Sequence, residues 1–165
     1  MSRPSPQAVW AGYLLSLLCA LVLQLVELPD ALSAARPLWL PLMLAYWALR
    51  EPQLPVLIPA FLCGLMLDVL YASPFGQHAL GLVVLVYIVV RLRSFFIIFP
   101  LWQATIALVP AWALYCFLMF WVDGATQHEA EIWLRWLPAL STALFWPLLW
   151  SVMELIRSRR GGDED

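Results

Sequence analysis

Asp68 is an acidic side chain inside a long apolar run, and it is followed by a turn and a histidine. An ionisable group at the centre of a bilayer costs at least about 2.5 kcal/mol on insertion scales, so such a residue usually has a task. Gly64 lies four residues earlier on the same helix face. A glycine there lets a neighbouring helix come close enough to shield the carboxylate from lipid, and Asp68 is expected to face protein. Three readings stay open: a carboxylate near the membrane surface that bonds the Ser73–His78 turn, a group for proton or ligand chemistry, and a partner contact. His78 could titrate near neutral pH or hydrogen-bond to Asp68. The other histidine, His128, belongs to a remote loop, and two isolated histidines make a poor metal site.

Other constellations are weaker. Asp123, Glu129 and Glu131 lie near His128, but acids in a polar loop read as a solvated face rather than a metal site. No G-x-S-x-G, no cysteine beside a histidine and no pair of intramembrane aspartates is present. Cys19, Cys63 and Cys116 each sit in an apolar run, far apart, and read as small hydrophobes. Gly161 and Gly162 stand in a charged tail with no strand before them, so they are no phosphate loop. No cofactor, metal or catalytic residue is expected.

The elements that must position these residues follow from composition. The chain has 165 residues, 64% hydrophobic and 12% charged, with mean hydropathy +0.84; a soluble domain carries about 25% charged residues. A membrane crossing needs roughly 20 apolar residues, so up to about six crossings fit and no sizeable soluble domain remains. The net charge of −2, with arginine and no lysine, gives no basic surface for nucleic acid.

Apolar runs predict spans over about 8–26, 34–49, 54–71, 77–90, 101–122 and 137–156. The first is too long for an ordinary signal-peptide core of about 7–15 residues and reads as uncleaved. The second and fourth are short, and 94–100 is expected to lie along the interface. With six spans, Arg3, Arg50, Arg91, Arg93, Arg157, Arg159 and Arg160 share a side, while Arg36 and Arg135 share the other. Positive charge collects in the cytoplasm, so both termini are expected there. Trp10, Trp47, Trp102 and Trp150 near one face, and Trp39, Trp121, Trp133 and Trp136 near the other, read as two aromatic belts. The expected fold is an all-α integral membrane protein, one compact six-helix domain over 1–156 with a charged, disordered tail over 157–165.

The stretch Gly64-Leu65-Met66-Leu67-Asp68, followed by Ser73-Pro74-Phe75-Gly76-Gln77-His78, resembles the G-x-x-x-D, P-x-G element of the bacterial rod shape-determining MreD family. Supporting matches are Arg36-Pro37 at the start of the second span, Pro100-Leu101-Trp102-Gln103 at the fifth, and Trp136-Leu137-Pro138-Ala139 at the sixth. The use of arginine for every positive charge is a minor departure. The resemblance implies a non-enzymatic inner-membrane scaffold of the cell-elongation machinery. It would bind MreC, work with MreB, RodA and its paired transpeptidase, and support peptidoglycan synthesis. Gly64, Asp68, Pro74, Gly76 and His78 are the structural or partner-contact candidates. The family fold is similar to the substrate-capture subunits of energy-coupling-factor transporters. The alternative is therefore a capture subunit whose outward pocket draws on Asp68, Gln77, His78 and Trp39.

Overall fold

The computed structural model describes residues 6–26, 29, 35–96, 100–125 and 136–162. Among them are six helices and no strand: α1 (Pro6–Leu25), α2 (Trp39–Arg50), α3 (Leu57–Leu70), α4 (Gln77–Phe96), α5 (Leu101–Ala125) and α6 (Leu137–Gly162). Three stretches, Gln77–Phe95, Leu101–Gly124 and Leu137–Ser158, are long and apolar enough to cross a membrane, and Val9–Leu25 and Leu57–Leu70 are shorter apolar helices. The exterior carries large apolar side chains on several helices, among them Leu14, Ile58, Val69, Ile106 and Leu144. Such a surface suits hydrocarbon as solvent rather than water.

The shortest helix is the central one. α2 packs against α1, α4 and α6; α3 packs on α4, and α5 bridges α4 and α6. Every residue from Leu40 to Ala48 is buried. At 1.5 Å per residue α2 is only about 18 Å long, well short of a hydrocarbon core of about 30 Å. It starts at Trp39 rather than near position 34 because Pro37 disfavours helical geometry in the residue before it. Non-helical backbone at membrane depth is tolerated where protein encloses it. Here Thr142 Oγ1 of α6 accepts the Leu38 N–H at 2.9 Å, and Gln24 Oε1 of α1 accepts that of Leu40 at 3.4 Å.

Two other boundaries depart from expectation. α4 runs through Arg91 and Arg93 to Phe96, so 94–96 continue the helix instead of starting an interfacial segment, and 97–99 lie outside the described residues. Arginine is a good helix former with a stem that can reach the membrane surface, and it did not stop the helix. α6 likewise continues past Ile156 through Arg157 to Gly162, where a disordered tail was expected; 163–165 are not among the described residues. Neither are Arg3, residues 30–34 or the loop holding His128, Glu129, Glu131, Trp133 and Arg135.

Aromatic rings fill the core around α2. Tyr13 and Trp47 meet edge to face at 5.4 Å, Tyr46 and Trp150 at 5.2 Å, and Trp112 and Trp146 lie 5.7 Å apart. Trp47 is therefore a core residue rather than part of a belt, and its indole N–H donates to Ser16 Oγ at 2.8 Å. Trp10, Trp102, Trp121 and Trp136 are exposed.

Candidate functional site

α3 has 14 residues, about 21 Å of helix, shorter than a hydrocarbon core of about 30 Å, and the chain reverses at its end. The reversal needs internal partners for its backbone. The end of α3 supplies the first set. Ser73 N–H donates to Asp68 O at 3.0 Å and Ala72 N–H to Val69 O at 3.4 Å, the paired bonds of a Schellman motif, which requires a left-handed residue between them. Ala72 takes that position with φ 49, and Gly76 is also left-handed at φ 96. At Gly76 the missing Cβ removes the strain.

α4 then begins at Gln77, preceded by a glycine with no side chain to cap it. Asp68 provides the cap from the neighbouring helix. Its Oδ2 accepts the Gly76 N–H at 2.8 Å, and its Oδ1 accepts the His78 N–H at 2.8 Å. Both are N–H groups of a helix start, which ordinarily lack an intrahelical partner and favour negative charge. Oδ1 also accepts from Ser73 Oγ at 3.1 Å and lies 2.9 Å from His78 Nδ1. The Asp68 side chain is fully buried, whereas that of His78 is 16% exposed. One carboxylate thus closes the end of α3, the turn and the start of α4.

Gly64 brings the helices close enough for this. A Cβ on Gly64 would stand 2.3 Å from Ala79 Cα and 2.6 Å from Ala79 N, so α3 and α4 touch backbone to backbone one turn from Asp68. The outer wall of the site is Tyr71, whose ring lies 5.5 Å from that of His78 and whose hydroxyl donates to Gln24 O at 2.5 Å. Arg36 Nη2 donates to Leu23 O at 3.1 Å and also to Val26 O. Tyr71 and Arg36 together satisfy carbonyls that the end of α1 leaves open. Gln77 Nε2 donates to Asp123 Oδ1 at 2.7 Å, tying the start of α4 to the end of α5.

Serine, histidine and aspartate meet here, but not as a nucleophilic triad. In a triad the acid holds Nδ1 while the serine bonds Nε2. Ser73 Oγ is 3.2 Å from His78 Nδ1, the same nitrogen that Asp68 engages, so the hydroxyl is directed at the carboxylate. Four donors of the chain itself reach Asp68, three of them at Oδ1 and one at Oδ2. Among the described residues no group of three or more metal-ligating side chains is assembled.

Gly64, Asp68, Pro74, Gly76 and His78 are thus brought together at one end of the α3–α4 pair. Gln77 adjoins them but turns to Asp123. Trp39 is elsewhere: it lines an apolar cavity of about 430 Å³ between α1, α2 and α6 that none of Asp68, Gln77 and His78 borders. A second acidic site escaped the sequence reading. Glu154 accepts from Arg50 Nε at 2.8 Å and Arg50 Nη2 at 3.2 Å, and from the buried Tyr46 hydroxyl at 3.0 Å. Arg157 pairs with Glu51 beside it, so α2 and α6 exchange opposite charges. Glu154 could have been found as a carboxylate in the apolar run 152–156; its nearness to the arginine tail disguised it.

Residues 7–156 match the family model described as rod shape-determining protein MreD. The Rod shape-determining protein MreD of Haemophilus influenzae is 29% identical over 150 residues, covering 91% of this chain and 93% of that protein. No solved structure matches the chain. A match over nearly the whole length, motif and helices included, settles the family: the chain belongs to the MreD family of rod shape-determining proteins.

Proposed function

We propose that this protein is a non-enzymatic scaffold of the bacterial inner membrane that binds MreC and holds the cell-elongation machinery together while peptidoglycan is made. The observation that carries the reading is Asp68: the charged group buried in the bundle is committed to joining two helices, in a chain whose family determines rod shape. A carboxylate engaged by four donors of its own chain supports shape rather than turnover. The arginine distribution favours six crossings with both termini in the cytoplasm, which puts the Asp68 turn at the outer end and the Arg50–Glu154 pair at the inner end. Association would rest on helix packing in lipid, where small residues and interhelical hydrogen bonds supply the energy.

Purifying the chain through a C-terminal tag from native membranes, and identifying what accompanies it by mass spectrometry, tests this. Recovery of MreC with RodA and its transpeptidase is expected. Recovery of a transporter ATPase pair with a retained metabolite, and no elongation protein, would mean that the chain captures a small molecule instead.

A further inference from the structure

Two sides of the bundle offer lipid apolar bands of unequal height. On α5, exposed Trp102 and Trp121 mark the two membrane surfaces, where tryptophan collects. At 1.5 Å per residue they stand about 28 Å apart, close to a hydrocarbon core of about 30 Å. On α3 the exposed apolar face runs from Ile58 through Leu62 and Met66 to Val69, only about 16 Å. Tilting a helix away from the bilayer normal shortens its reach, so tilt cannot supply the missing height.

Hydrogen bonds fix the end at which the height is missing. Gln77 Nε2 donates to Asp123 Oδ1 at 2.7 Å, which holds the start of α4 level with the end of α5. Asp68 ties the end of α3 to that same level through Gly76 and His78. The two sides are therefore flush at the Asp68 end. At the other end, exposed Arg91 lies about 21 Å along α4 from Gln77. An arginine stem can stretch toward a more distant surface, but Arg93 turns into the bundle instead, its Nη1 donating to Ala48 O of α2 at 3.5 Å. Glu51 and Pro52 border one cavity with Val90 and Arg93, so the connection from α2 to α3 also turns at this depth. Charge and polar backbone close the band there, short of the level that α5 reaches at Trp102.

We propose that the bundle thins the bilayer along α3 and α4, drawing the leaflet at the Arg91 end toward the leaflet at the Asp68 end. Acyl chains beside α3 shorten or splay so that Arg91 stays among headgroups, while those beside α5 keep their ordinary length. Mismatch of this kind sorts proteins toward thinner membrane, and a patch of thinned bilayer travels with the protein. The proposal rests on the membrane placement of the bundle and is independent of which proteins it joins.

The test uses the full chain in nanodiscs of dioleoylphosphatidylcholine, imaged by electron cryomicroscopy with an antibody fragment bound to add mass. The hydrocarbon layer should measure about 21 Å beside α3 and about 28 Å beside α5, with the step in the leaflet at the Arg91 end. A layer of equal thickness around the bundle, a step confined to the leaflet at the Asp68 end, or a second copy seated on Ile58, Leu62 and Val69 would overturn the proposal. Spin labels give an independent reading in the same lipid. They are placed in turn at Ile58 and Val69, with Cys19 and Cys63 replaced by alanine and buried Cys116 kept. Both labels should collide with a water-soluble nickel chelate several-fold more often than a label at Pro110, an exposed position midway along α5. A label at either end of α3 as sheltered from the chelate as the one at Pro110 would mean that the helix is sunk in a bilayer of ordinary thickness, against the proposal. Failure of the membrane placement itself would show separately, as a chain that stays dispersed without lipid or detergent.

Discussion

Replacing Asp68 by Asn keeps the shape of the side chain and removes its charge. The new amide would turn N–H groups toward backbone N–H groups at Gly76 or His78, where the carboxylate now accepts both. The expected loss is about 1.5–3 kcal/mol, the range for hydrogen bonds to a charged group, read as a lower midpoint of thermal unfolding in mild detergent. Ser73→Ala removes one of the four donors and should cost about 1 kcal/mol. Gly64→Ala forces a Cβ against the Ala79 backbone and should cost about 1–3 kcal/mol by overpacking. Ala79→Gly should fail to rescue it, because the atoms met are main-chain atoms. Asp68 stood out in the sequence because its charge interrupts an apolar run, and the glycine and proline after it marked a turn. The sharing of Nδ1 between Ser73 and Asp68 was not legible, since spacing says which side chains are near and not which nitrogen each one meets. Glu154 shows the converse: its partners Arg50 and Tyr46 lie more than a hundred residues away, and only the packing of α2 on α6 joins them.

At the scale of elements, α3 and α4 form one hairpin whose turn is closed by bonds within itself. Ala72 occupies the left-handed position that a Schellman motif usually gives to glycine. Ala72→Gly should therefore leave stability unchanged or raise it by up to about 1 kcal/mol, in the same unfolding assay; a clear loss would mean that the Ala72 methyl does more than tolerate strain. The inner ends of α2 and α6 behave differently. Arg50 and Glu154 are 42% and 34% exposed, so Glu154→Gln should cost no more than about 1 kcal/mol. Apolar length located α1, α3 and α5 closely in the sequence. It misplaces α2, where Pro37 delays the start of a helix that survives by burial, and α4, where arginines that mark a membrane surface do not end the helix. In both cases hydropathy reported where lipid stops, and backbone geometry decided where the helix stops.

For the molecule as a whole, the family match spans 7–156, and α1, α4 and α6 pack around α2. The arginine asymmetry predicts its orientation. Alkaline phosphatase fused after Asp165 should stay inactive and a green fluorescent protein there should glow; active phosphatase would invert the topology and place the Asp68 turn in the cytoplasm. The scaffold function is tested most directly by the amount of MreC recovered per folded chain, compared with cell shape, in the unmodified protein, Ser73→Ala and Asp68→Asn. A protein that acts by holding its neighbours should lose MreC and rod shape together, in the order of the stability losses. A variant that stays folded and keeps its MreC while the cells lose their rod shape would contradict it, because the loss would then lie in chemistry at Asp68 or His78.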